Sequence, residues 1–392
     1  MISPVKPRLS GRAKAVVPSL IRDASRVCAE LGALNLAQGL PDFAAPPFLK
    51  EAAQRAIAAD HNQYCDPWGL ASLREAIAAR CARDHSWRVD PDSEVTVCCG
   101  ATEGINLALM ALLDPLDEVL VFAPFYENYR PNLATVEAVP HYLPLAAPDW
   151  QLSEAMLEAS FAAAHRLRAV IVNNPANPTG KVWSRGELEV IARFCCRHDL
   201  YAITDEIYES ILYDGAEHLP LATLPGMAER TVTVNGLSKT FCVTGWRLGY
   251  VIASEPITDA MRRLHDFLTI CAPAPLQYAA VAALAAGDDY YSDLRRLYQA
   301  KRDLLVPALE RAGFAPVMPA GAYYVWTDAA VLGGKDSRAA ARLLAERALI
   351  AAVPGDCFLP PGAVNQNLRF CFAKSDRTLE LAAERLEKLA RG

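Results

Sequence analysis

Tyr201-Ala202-Ile203-Thr204-Asp205-Glu206-Ile207-Tyr208 sets a short β-forming run directly against a carboxylate. A run this apolar, with no polar face, fits a strand covered on both sides. Val95-Thr96-Val97-Cys98, Val119-Leu120-Val121-Phe122, Ala169-Val170-Ile171-Val172, Thr231-Val232-Thr233-Val234 and Leu248-Gly249-Tyr250-Val251-Ile252 repeat the pattern. Between and before them, apolar residues recur at helical spacing over Ala44 to Ala58 and Ser72 to Ala82. Ser184-Arg185-Gly186-Glu187 is a capping box that opens a helix over Leu188, Ile191 and Phe194. Such alternation predicts an α/β fold with a mostly parallel sheet. Pro273 and Pro275 mark a break, after which a long helix is predicted from about Ser292 to Ala312. The tail mixes strand signals (Ala322 to Trp326, Leu368 to Phe372) with helices (Arg338 to Ala348, Asp376 to Leu389). The simplest partition is a large α/β domain over 45–275 and a smaller α+β domain from the C-terminal third.

Composition removes several function classes. The 392 residues carry 39 Lys plus Arg against 45 Asp plus Glu, a formal charge of −6. A protein whose main partner is nucleic acid or an anionic membrane needs a basic excess instead. With 52% hydrophobic and 21% charged residues the chain can build a core, which excludes intrinsic disorder. No apolar run reaches the ~18–20 residues of a membrane span. The eleven cysteines are odd in number, form no C-x-x-C, and lie in apolar stretches such as Val97-Cys98-Cys99 and Phe194-Cys195-Cys196. They read as buried free thiols of a reducing compartment, and the expected location is the cytoplasm. No metal-ligand spacing appears. Met1 to Arg22 holds Lys6, Arg8, Arg12, Lys14 and Arg22 with no acid before Asp23, and Pro4, Pro7 and Pro18 break any amphipathic helix there. This segment is expected to be a loose arm that packs onto something.

The strands end in unusual punctuation. In open α/β sheets that edge is where ligands bind. Gly100-Ala101-Thr102-Glu103-Gly104 follows the first strand, and small residues at a strand-to-helix turn free backbone N–H groups for an anion. An ordinary tight turn reads equally well. Asn173-Asn174-Pro175-Ala176-Asn177-Pro178-Thr179-Gly180 has two Asn-Pro steps, either of which can be cis. Asp205, semi-buried at the sheet edge, calls for a cationic partner, with a helix N-cap as the plainer reading. Lys239, in Asn235-Gly236-Leu237-Ser238-Lys239-Thr240, suits a desolvated amine nucleophile, and Arg247, eight residues on, suits an anion clamp. Alone, a lysine is far more often solvated surface.

Taken together, Gly236-Leu237-Ser238-Lys239 with Arg247, Asn174-Pro175-Ala176-Asn177-Pro178-Thr179-Gly180 and Asp205-Glu206-Ile207-Tyr208 resemble the class I/II pyridoxal-phosphate (PLP) aminotransferases of fold type I. Asn35-Leu36-Ala37-Gln38-Gly39-Leu40-Pro41-Asp42-Phe43 and Leu368-Arg369-Phe370-Cys371-Phe372-Ala373 resemble the branch of kynurenine/glutamine and bacterial methionine aminotransferases. The resemblance covers the chain from about residue 35 to its end. It implies an N-terminal arm and part of a small domain in 1–44, a PLP-binding domain in 45–275, and an interdomain helix with the rest of the small domain in 276–392.

The same resemblance implies roles. Lys239 would hold PLP through its amine and then move the substrate's Cα proton. Asp205 would pair with the ring nitrogen, Tyr208 and Asn177 with the 3-oxygen, and Tyr126 would stack on the ring. Gly100, Ala101, Thr102, Ser238 and Arg247 would hold the phosphate, helped by Tyr64 of the partner subunit in a homodimer. Arg369 would clamp the substrate α-carboxylate, with Asn177 and the Gly39–Leu40 backbone beside it. Leu40, Tyr126, Tyr323, Cys357 and Phe358 would line the side-chain pocket, favouring an apolar, aromatic, glutamine- or methionine-like L-amino acid. Two departures stand out: Gly236, where many members carry a phosphate-binding serine, and Cys242, where small residues are usual. The expected activity is ping-pong amino transfer between an α-amino acid and a 2-oxo acid. A PLP-dependent β-lyase or another Cα-carbanion enzyme on the same scaffold would use Lys239 in the same way, and a non-catalytic PLP-binding regulator is the remaining rival.

Overall fold

The computed structural model describes residues 8–391. Seven strands form the main sheet in the order Val95–Cys98, Gly249–Ile252, Thr231–Gly236, Tyr201–Asp205, Leu167–Asn173, Glu118–Ala123, Val139–Pro144. The last five run parallel to one another, whereas Gly249–Ile252 is antiparallel to both of its neighbours. The connection from Gly236 to Gly249 holds one short 3-10 turn, Thr244–Trp246, and no crossover helix, and the chain turns back. That return carries Lys239 out past the sheet edge and brings Arg247 back to it.

Both faces of the sheet are covered. Ile105 and Leu109 of the helix Gly100–Leu112 pack on Val121, Ile171, Ile203, Val232 and Val251. On the opposite face Leu188, Ile191 and Phe194 of the helix Arg185–Arg197 cover Leu120, Val170 and Ala202. This two-sided burial explains why these strands read as continuous apolar runs. The expected capping box is present: Ser184 Oγ accepts from Glu187 N at 3.3 Å, and Ser184 N donates to Glu187 Oε2 at 3.1 Å.

A second, antiparallel sheet has the order Val353–Pro354, Asn367–Cys371, Tyr324–Asp328, Ala315–Val317. The helices Asp288–Arg311 and Asp376–Ala390 pack against each other in this region. Leu34–Asn35 pairs in parallel with Ile350–Ala351, which ties the segment before Gly39 to the C-terminal third.

Several expectations need correction. Pro273 and Pro275 do mark a break, between the helices Glu255–Leu268 and Ala274–Leu284, but they also start the second helix, which was not expected, with Pro275 in its first turn where no N–H is needed. The long helix begins at Asp288, four residues earlier than Ser292. Val139–Pro144 was not legible as a strand because it is the sheet edge, partly exposed and carrying Pro140 and Pro144. The arm expected to be loose is helical at Gly11–Ala15 and again from Leu20 to Leu31, with Ser10 and Ser19 as N-caps; Pro18 falls in the gap between the helices. Its part before Arg8, with Pro4, Lys6 and Pro7, lies outside the described residues.

The turn after Asp205 is tied down by a buried ion pair. Arg80 Nη2 lies 2.7 Å from Glu209 Oε1 and donates to Ser210 Oγ at 2.9 Å. Burial would raise the Glu209 carboxyl, but Arg80, with His85 and His218 behind it, holds it down at about 2. Arg80→Ala is expected to cost about 3 kcal/mol in urea unfolding at neutral pH, because it leaves the buried Glu209 without its arginine partner, facing only His85 and His218. A carboxyl depressed on folding stabilises fully above its unfolded value and loses this as pH falls toward about 2. The deficit of the variant is therefore expected to shrink below pH ~4.

Candidate active site

At the C-terminal edge of the main sheet, neighbouring strands deliver their polar ends into one space. Asn173 and Asp205 are register partners, as are Asp205 and Val234. Asn173 Nδ2 donates to the Asp205 carbonyl at 2.8 Å, and its Oδ1 accepts from Asn177 N at 2.6 Å, fixing the loop that carries Asn177. Both the Asn174–Pro175 and Asn177–Pro178 peptides are cis. The resulting cavity has a volume of about 800 Å³.

Asp205 is buried on this cavity wall. Its Oδ2 accepts from Tyr129 Oη at 2.8 Å, and Oδ1 from Ile207 N at 3.4 Å. Burial nonetheless raises its pKa to about 6. Among the described residues no cationic side chain comes within 4 Å of it. Across the cavity Lys239 Nζ donates to the Gly39 carbonyl at 3.3 Å and lies 5.9 Å from the rings of Tyr208 and Tyr323. Burial lowers this amine to about 8, so a neutral, nucleophilic fraction exists near physiological pH.

Arg369 is the most constrained cation. Nη1 donates to Asn177 Oδ1 at 2.9 Å and Nη2 to the Ala37 carbonyl at 2.7 Å. Tyr324 and Phe358 bracket the guanidinium at 4.2 and 4.7 Å. Its Nε is buried with no partner. A buried guanidinium with donor capacity left unused fits a carboxylate ligand. The Gly39–Leu40 loop beside it is held by Lys374, whose Nζ donates to the carbonyls of Gln38 and Leu40. Tyr324 Oη occupies the space where a Cβ of residue 39 would lie, so only glycine lets this loop approach.

An anion cradle faces Lys239 from the first strand. The helix Gly100–Leu112 opens there with Ala101 and Thr102 on the cavity wall, beside Ser238 and Arg247. Gly100 adopts φ +79°, and a Cβ on it would stand 2.5 Å from Arg247 Nη2. Free helix-end amides, a hydroxyl and a guanidinium together suit a phosphate.

The structure thus brings together Gly39, Leu40, Ala101, Thr102, Tyr126 and Asn177 with Asp205, Tyr208, Ser238, Lys239, Arg247 and Arg369 around one cavity. Gly100 sits behind it. Tyr64 does not line it and is 76% exposed. Tyr323, Cys357 and Phe358 are buried behind the wall rather than in it, a correction to the expected side-chain pocket. Tyr323 precedes the strand Tyr324–Asp328, where successive side chains alternate faces, and Tyr324 is the one that points inward. Gly236 ends its strand off the cavity wall, and Cys242 packs near Tyr298, with Sγ 3.8 Å from its hydroxyl.

Sequence reasoning gave no role to Tyr129, which bonds Asp205, or to Tyr324, whose hydroxyl lies 2.9 Å from that of Tyr208. It also missed that Val16 to Ser19, Ile21 and Arg22 of the arm form the rim. The Tyr126-x2-Tyr129 spacing was a signal for Tyr129; nothing local foretells the arm's path.

Comparison with known proteins places this geometry. The family model for aminotransferase class I and II matches residues 32–386. An N-succinyldiaminopimelate aminotransferase structure from Mycobacterium tuberculosis superposes with a TM-score of 0.93 at 38% identity, covering 97% of this chain and all of that one. A methionine aminotransferase of Escherichia coli is 35% identical over 91% of this chain and 92% of its own length. Kynurenine–oxoglutarate transaminase 3 of Mus musculus is 33% identical over 92% of this chain and 85% of its own length.

Asp205 has a pKa raised on folding, so in that range the folded chain keeps the proton that the unfolded chain releases, and stability falls as pH rises from about 4 to about 6. Asp205→Asn is therefore expected to stabilise the chain at pH 7–8 by about 3 kcal/mol. In urea unfolding followed against pH, that gain should vanish below pH ~4.

Proposed function

Because the chain belongs to the class I and II aminotransferase family, we propose that pyridoxal 5'-phosphate is its cofactor and fills the cavity at the ends of the central strands, in a homodimer whose two sites each borrow one tyrosine. The chain is an aminotransferase; the reading concerns how it works and on what. Bound there, PLP supplies an aldehyde for amines and a ring that accepts electrons from the substrate's Cα. Gly100, Ala101, Thr102, Ser238 and Arg247 hold its phosphate, and Tyr64 of the partner subunit reaches the same group, which accounts for the 76% exposure of this tyrosine in the single chain. Asp205 meets the ring nitrogen, and keeping that nitrogen protonated answers the carboxylate's need for a cation. Tyr126 covers the ring, and Tyr208 and Asn177 reach the 3-oxygen.

The observation that carries this reading is the buried Asp205 carboxylate, without a cation within 4 Å among the described residues, facing the same cavity as the Lys239 amine held at about 8. Lys239 Nζ takes the proton from the substrate's Cα and returns it on the other side of the transfer, work that needs an amine able to change charge near neutral pH. Arg369 fixes the α-carboxylate and so orients the Cα–H bond toward Nζ. The first product would leave as a 2-oxo acid with its amino group kept behind by the cofactor, and a second 2-oxo acid, entering the same cavity in turn, would take that amino group and leave as the new amino acid.

We place 1–44 as arm and part of the small domain, 45–275 as the cofactor domain, and 276–392 as interdomain helix and small domain. Leu40, Tyr126 and the arm residues Val16, Val17, Pro18 and Ile21 supply an apolar wall. An apolar, aromatic, glutamine- or methionine-like L-amino acid fits it as donor, and the methionine and kynurenine named for two relatives point the same way. No helix is long and apolar enough to cross a membrane among the described residues, and with eleven unpaired thiols the cytoplasm is the compartment that suits the chain.

The test is a donor panel on the PLP-loaded protein, following the absorbance change from the aldehyde to the amine form of the cofactor. Methionine or phenylalanine is expected to convert it faster than aspartate; the reverse order overturns the substrate reading, and no conversion by any donor overturns the mechanism. Arg369→Lys keeps the charge and loses the fork, and should raise KM for the amino acid about 30-fold.

A further inference from the structure

We infer that Arg22, on the first turn of the arm helix, selects substrates that carry a second anionic group at the far end of their side chain, as a dicarboxylic 2-oxo acid does. The inference rests on the cofactor and substrate-carboxylate assignments just proposed. Four cations line the cavity: Arg22, Lys239, Arg247 and Arg369. Among the described residues only two carboxylates do, Asp205 and Glu127. Arg247 belongs to the phosphate cradle, Lys239 to the cofactor and Arg369 to the α-carboxylate, so among the described residues Arg22 is the one positive group of the lining left without an assignment.

Its surroundings leave it free to bind. Glu127, across the rim, is occupied by the arm itself: Oε2 accepts from Ser19 Oγ at 2.6 Å and Oε1 from Leu20 N at 2.8 Å. Asp23, next in the chain, is paired with Arg26 at 3.7 Å. Among the described residues no carboxylate lies within 4 Å of the Arg22 guanidinium. The grip of Glu127 on Ser19 and Leu20 also fixes where Arg22 stands, since its backbone N–H donates to Ser19 Oγ at 3.4 Å as part of the same cap.

The two arginines therefore differ in kind. Arg369 is 1% exposed and locked at the base of the cavity, while Arg22 is exposed at its mouth. On this inference a ligand with anions at both ends engages both arginines, and one with a single carboxylate engages only Arg369. Ping-pong transfer makes one cavity serve two substrates, and an apolar wall with a single cation at its rim accepts a long apolar donor and a dicarboxylic acceptor in turn.

The test uses the amine-loaded enzyme and measures kcat/KM for 2-oxoglutarate and for 2-oxopentanoate, equal in chain length but lacking the remote carboxylate. Arg22→Ala is expected to lower kcat/KM for 2-oxoglutarate about tenfold, chiefly through KM, and to change 2-oxopentanoate by less than about twofold. Arg22→Lys should recover part of the loss and Arg22→Glu should deepen it, with the wild-type preference weakening as salt is added. Equal losses for both acids, no loss for either, or a wild type indifferent to the remote carboxylate would overturn the inference while leaving amino transfer intact. Failure of the wild type to turn over both acids would overturn the cofactor reading on which it rests.

Discussion

The site depends on keeping a carboxylate and an amine buried in the same cavity without letting them neutralise each other. Asp205 ends a central strand whose every residue but the first is buried, and Lys239 follows the strand beside it. Water would solvate either charge far better than this wall does, and the two groups respond in opposite directions. The carboxyl rises to about 6 and the amine falls to about 8. Tyr129 and the Ile207 amide offset part of the burial around Asp205 without supplying a positive charge. A fold that merely minimised its own energy would pair them or replace them; retaining both is the mark of a ligand that completes the site.

The rest of the architecture holds the surroundings of that pair still. Arg80 clamps the turn that follows Asp205 through Glu209 and Ser210. Asn173 ties the strand end to the Asn177 loop, and Asn177 in turn holds Arg369. Lys374 pins the loop at Gln38 and Leu40, while Leu34–Asn35 adds to the Ile350–Ala351 strand. The N-terminal region reaches the site from both ends of this segment, with the Gly39 loop at the base and the arm at the rim. Glu127 joins the rim to the large sheet's side of the cavity.

Much of this was legible from residue order because it lies at strand ends. Strands covered on both faces announce themselves as apolar runs, so Asp205, Asn177, Lys239 and Gly100 were readable as punctuation after them. Arg247 was readable as an anion clamp from its place eight residues after Lys239, whereas Arg369 and Tyr126 needed the family resemblance, since no local pattern marks either of them out. What escaped was set by tertiary path or by strand phase. Tyr323 and Tyr324 are adjacent and chemically identical, and only the pleat decides which faces the cavity. The arm's course over the rim rests on the Glu127 carboxylate more than a hundred residues away. The edge strand Val139–Pro144 was hidden by its prolines and partial exposure.

The central claim is that the amine of Lys239 carries the cofactor. Borohydride reduction of the PLP-loaded protein, followed by proteolysis and mass mapping, tests it most directly. The account predicts one phosphopyridoxyl mass increment per chain, on the peptide containing Ser238 and Lys239, and none in Lys239→Ala. A stoichiometric label on any other lysine, or an unlabelled Lys239 in protein that has demonstrably bound PLP, would contradict it.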